Sequence, residues 1–84
     1  PENSVAIQNL AFNPSSLEIP PGTTVTWINQ DLDEHTVVSD DGNFTSSGIL
    51  SYLDEFTVTF NETGEYPYHC SLHPEMTGVI VVSA

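Results

Sequence analysis

Apolar residues recur at every second position in short runs, and turn-forming residues close each run within a few positions. That period suits strands with one buried face and no helix of useful length. Val5 and Ile7 open one run, and Val25 and Trp27 share a face of Thr23 to Asn29 with threonines opposite. Thr36, Val37 and Val38 form a further short β-branched run. Phe56, Val58 and Phe60 alternate with Thr57 and Thr59; Tyr66, Tyr68 and Cys70 alternate with Pro67 and His69; Val79 to Val82 is continuously apolar. Between them stand Pro20-Pro21-Gly22, Asp40-Asp41-Gly42-Asn43 and Asn61-Glu62-Thr63-Gly64. Pro presets φ for a turn, while Gly and Asn accept positive φ. The expected fold class is all-β, a sandwich or barrel of about seven to eight short strands. Trp27, Phe56, Phe60 and the three tyrosines are the expected core.

With 84 residues the chain can build one hydrophobic core and no second, so residues 1–84 are read as one domain. A lone cysteine leaves no internal disulfide to staple it, which makes a bound metal a plausible substitute. No apolar run approaches a membrane span, so direct membrane insertion of this segment is not expected. The chain starts at Pro1 and is read as a processed or trimmed soluble domain.

Twelve acidic residues, no Lys and no Arg give a formal net charge of -12. Nucleic acid is excluded as a partner, because phosphate binding runs on counterion release to Lys and Arg. An anionic membrane surface is disfavoured for the same reason. Two readings of the charge stand side by side: adaptation to salty surroundings, or steering toward a partner with a basic docking surface.

The chemistry sits in Tyr66-Pro67-Tyr68-His69-Cys70-Ser71-Leu72-His73-Pro74-Glu75-Met76. A thiol, an imidazole and a thioether follow one another at C-x2-H-x2-M spacing, in a loop between two strand-like runs. One tight loop can turn all three donors toward a single ion. His35, before Thr36-Val37-Val38, is the candidate fourth donor. His69 is next to Cys70 and in a strand points to the opposite face, so a surface or supporting role is expected of it. One thiolate, two imidazoles and a weak axial thioether are the donor set of blue-copper electron-transfer sites. Zinc more often takes four Cys or His ligands.

On these residues the chain resembles the cupredoxins, with the short ligand loop of the amicyanin type rather than the longer loops of plastocyanin and azurin. The likeness runs from Val25-Thr26-Trp27 through Asp33-Glu34-His35-Thr36-Val37 to the last strand, and is most specific at Tyr66 to Cys70, His73-Pro74 and Met76. The resemblance implies a Greek-key β-sandwich and a type 1 copper site with one ion held by His35, Cys70, His73 and Met76. It also implies one-electron transfer between redox proteins, by a monomer in the periplasm or another extracytoplasmic space. In relatives the loop histidine lies nearest the surface, which makes His73 the expected electron port, with Pro74, Leu72 and Leu50 as an apolar docking rim. Many relatives carry Asn after the first His ligand, where it ties the ligand loops together; Thr36 stands there, so a weaker or different tie is expected. Pro74 has no N–H to offer the sulfur.

The main alternative is copper binding for trafficking or storage, in which metal is handed over and no electron moves. Catalysis is not expected. A Cys-His nucleophile lacks an evident oxyanion loop or cleft, and a second copper centre would need histidines beyond the one left over, His69.

Overall fold

The computed structural model describes residues 3–84. It contains eight strands and, among the described residues, no helix: β1 (Ser4–Gln8), β2 (Ala11–Asn13), β3 (Ser16–Ile19), β4 (Thr23–Asn29), β5 (Val38–Ser39), β6 (Glu55–Phe60), β7 (Gly64–His69) and β8 (Thr77–Val82). They form two four-stranded sheets in the orders β2-β1-β4-β6 and β3-β8-β7-β5. The chain alternates between the sheets from β2 to β7, and the pairs β1–β4 and β3–β8 are parallel while the rest are antiparallel.

The period-two pattern sorts side chains as expected. Val5 and Ile7 of β1 and Val25 and Trp27 of β4 are buried from one sheet; Tyr68 of β7 and Ile80 and Val82 of β8 meet them from the other. Trp27 is the hub. Its indole packs edge-on to Tyr68 at 5.4 Å between ring centroids and contacts Phe44, Phe56 and Phe60. Gly78 lies directly opposite Tyr68 in the β7–β8 register, and a Cβ there would stand 2.5 Å from the Tyr68 ring and hydroxyl.

Two expectations are corrected. Tyr52 is not a core residue: it is 53 % exposed in the loop before β6, and Phe56 is only half-buried. Leu50 is not on a docking rim: it is 5 % exposed, because its backbone bridges that of His35 and draws its side chain into the core. The run Thr36 to Val38 gives only the two-residue β5. Thr36 and Val37 direct their N–H groups to the sulfur of Cys70 and the hydroxyl of Ser47 instead of a strand ladder.

Strand direction gives the sandwich two unlike poles. β7 runs toward Cys70, and β8 leaves Met76 and runs back. β4 runs toward the loop carrying His35, and β1 lies parallel to it. The end of β8, paired with Gly64, therefore lies at the pole away from Cys70, about 20 Å off at roughly 3.3 Å per strand residue, while β1 starts beside Thr26, midway along β4.

Candidate metal centre

Three donors predicted from the sequence meet at one pole. Sγ of Cys70 lies 3.7 Å from Nδ1 of His35 and 3.8 Å from Nδ1 of His73. All three ligand atoms lie within 4.8 Å of one another. Cys70 and His35 are fully buried, while His73 is partly exposed. Met76 is 3 % exposed and belongs to the same buried cluster as Cys70. His69 is not part of the group: it points outward and pairs with Asp40.

The ligand loop is closed by its own backbone. The Cys70 N–H donates to the Met76 carbonyl, the His73 N–H to the Cys70 carbonyl and the Met76 N–H to the His73 carbonyl. These bonds fix the backbone of the loop on which the donors stand. His35 is placed independently, by two backbone hydrogen bonds with Leu50 of 3.1 and 2.7 Å. Buried Asn29 reinforces this link by donating its side-chain amide to the carbonyls of Asp33 and Leu50.

Thr36 makes a tie of its own between the ligand segments, through Ser71. Its N–H points at Sγ from 3.4 Å, and its hydroxyl oxygen accepts the Ser71 N–H at 2.8 Å and lies 2.9 Å from the Ser71 hydroxyl. The segment bearing His35 is thus bonded to the segment bearing Cys70. Burial by itself would raise the Cys70 thiol pKa. The Thr36 and Leu72 N–H groups and the His73 ring are among the contacts that outweigh it and bring the value down to about 6. The site favours thiolate, the form that binds metal.

One residue of the site escapes the sequence reading. The Asp31 carboxylate accepts the N–H groups of Asn9 and Leu10 at 2.8 and 3.0 Å and lies 3.0 Å from Nε2 of His35. Burial opposes its ionisation, but these two backbone bonds and the His35 ring hold its pKa below the usual value.

The donor set fits a small soft ion. Nitrogen and sulfur donors about 2.0 and 2.3 Å from one centre and about 120° apart stand roughly 3.7 Å from each other, and the observed separations are 3.7 and 3.8 Å. A thiolate and two imidazoles in a plane, with a thioether available, suit copper better than a closed tetrahedral zinc site.

Around this pole the exposed large apolar side chains gather. Leu32 adjoins Asp31, Leu72 lies in the ligand loop, and the Leu10 and Leu53 N–H groups bond Asp31 and Asn29. Pro74 is exposed beside His73, and exposed Asp33, Glu34 and Glu75 stand among these residues.

Comparison with known proteins agrees with this geometry. A family profile described as Cupredoxin-like domain matches residues 1–82. Amicyanin of Paracoccus denitrificans is 33% identical over 82 residues, covering 93% of this chain and 63% of that protein. The chain thus spans just under two thirds of that relative. A purple cupredoxin from Nitrosopumilus maritimus superposes with a TM-score of 0.90 at 35% identity, covering 98% of this chain and 100% of that one. A domain of the copper-containing nitrite reductase from Thermus scotoductus superposes with a TM-score of 0.89 at 33% identity, covering 96% of this chain and 22% of the enzyme.

Proposed function

The chain belongs to the cupredoxin-like domain family, and on that premise we propose that residues 1–84 form one domain that carries single electrons between redox proteins. One copper ion held by His35, Cys70, His73 and Met76 is its cofactor. The observation that carries this reading is the convergence of one sulfur and two Nδ1 atoms within 4.8 Å of one another, with sulfur–nitrogen separations of 3.7 and 3.8 Å. Copper, when bound, supplies a one-electron couple.

The protein's own contribution is stiffness and access. Cys70 and His35 sit in a closed core, each fixed by backbone bonds, so the ligand set has little freedom to rearrange when the charge at its centre changes. His73 is the partly exposed ligand and is the electron port. Leu72 and Pro74 flank it as an apolar contact from which water is easily expelled. The charge of -12 steers a partner with a basic docking surface. The domain works as a monomer outside the cytoplasmic membrane.

A second reading is that the domain serves as one part of a larger copper enzyme, favoured by its likeness to a domain that makes up 22% of a nitrite reductase chain. Against a second copper centre within this chain stands its supply of imidazoles. Of three histidines two are in the site, and the third, His69, is taken by Asp40.

Copper(II) added to metal-free protein tests the proposal. An intense visible thiolate-to-copper absorption, a matching paramagnetic resonance spectrum and repeated reduction and reoxidation without metal loss are expected. A colourless adduct defeats Cys70 ligation, and release of copper at each reduction favours trafficking or storage over electron transfer.

A further inference from the structure

We propose that Asp31 is the positioning residue of the buried metal ligand: its carboxylate sets the tautomer of His35 and the donor strength of the ring nitrogen facing Cys70, and the β1–β2 turn holds that carboxylate in place. The effect on the metal rests on the copper site proposed above; the effect on the ring does not.

Oδ1 of Asp31 accepts the Asn9 N–H, while Oδ2 accepts the Leu10 N–H and also faces Nε2 of His35. An ionised carboxylate can only accept, so the contact at 3.0 Å requires hydrogen on Nε2. A neutral imidazole carries one such hydrogen, which leaves Nδ1 bare. Nδ1 is the atom directed at the Cys70 sulfur. Asp31 therefore prepares His35 as a donor, and a carboxylate behind a ligating imidazole also raises its basicity.

The carboxylate is itself held. Asn9 and Leu10 both have φ of 57°, the left-handed region uncommon for a leucine. Successive amides in such turns form a concavity for an anion, and here both N–H groups converge on Asp31. From the other side the Asp31 N–H donates to Oδ1 of Asn29 at 2.8 Å. No Lys or Arg exists in the chain to draw the carboxylate away, so its charge is directed at the His35 ring. The Asp31 side chain is only 16 % exposed, which limits screening by water.

The test uses the Asp31→Asn variant, which keeps the side chain's shape but replaces one acceptor oxygen by an amino group. In metal-free wild type, nitrogen-15 correlation spectra of the His35 ring should show the Nε2–H form. In Asp31→Asn that preference is lost. Copper-loaded Asp31→Asn should have a higher reduction potential and an affinity for copper(II) about 10–100-fold weaker, and Asp31→Glu should recover part of both. A variant that loses stability but keeps the wild-type tautomer and potential overturns the proposal. Should Asp31→Asn not fold, the wild type decides, because an Nδ1–H ring in the metal-free protein also overturns it. A protein that binds no copper, yet loses the Nε2–H form on substitution, defeats the proposed function and leaves the hold of Asp31 on His35 standing.

Discussion

Thr36 and Ser71, 35 positions apart, bond twice: the Ser71 N–H donates to Oγ1 of Thr36 at 2.8 Å, and their hydroxyl oxygens lie 2.9 Å apart. Thr36→Val preserves the shape of the side chain and removes the acceptor, leaving the Ser71 amide unpaired at a partly buried place. A loss of about 1–3 kcal/mol in urea unfolding is expected, with Thr36→Ser near wild type. The visible band of the copper-loaded variant should persist, because the backbone N–H to Sγ is untouched.

The Cys70 thiol gives a pH dependence of definite sign. Its folded-state pKa of about 6 lies below the ordinary 9.0. The thiolate therefore stabilises the metal-free fold fully above the ordinary value, and that contribution disappears as pH falls through about 6. Thiolate absorbance of the metal-free protein, absent in Cys70→Ser, should titrate near 6. Below that pH the affinity for copper(II) should drop about tenfold per unit. A midpoint near the ordinary value would mean that the bonds from Thr36 and Leu72 do not hold the charge.

Gly78 marks a close approach between neighbouring strands. Because a Cβ at this position falls 2.5 Å from both Cζ and the hydroxyl of Tyr68, Gly78→Ala must displace the ring from its place against Trp27. A destabilisation of about 1–3 kcal/mol is expected in thermal or urea unfolding. Tyr68→Phe should relieve it only in part, since the ring carbon clashes as closely as the oxygen.

Docking should separate into a charged and an apolar component. With a small basic redox protein as partner, the association rate should fall as salt rises, owing to the net charge of -12. Leu72→Asp should slow productive transfer while leaving the visible spectrum unchanged, since Leu72 is exposed and no metal donor. A rate indifferent to salt would remove steering from the account.

What could be read in advance was whatever is encoded locally. Cys70, His73 and Met76 lie within one loop, so their spacing announces their convergence. His35 was legible from its place before a short β-branched run. Asp31 was not, because its link to His35 crosses a loop in which a separation of four residues has no fixed meaning, and its other partners, Asn9 and Leu10, lie more than 20 positions away. The strands β2 and β3 are too short to establish a period. Leu50 and Tyr52 were misjudged because both lie in an irregular stretch, where alternation gives no facing; only the bridge to His35 turns Leu50 inward.

The return of β8 along β7 places Val82 at the pole opposite the ligands. A linker joined at Val82 would act as a stalk, with the metal pole as its free head. Such a head can swing between two partners without its contact face being shaded by its own attachment. On an electrode, coupling through the Val82 side would present His73 to solution, whereas coupling through Leu72 would turn it toward the metal surface.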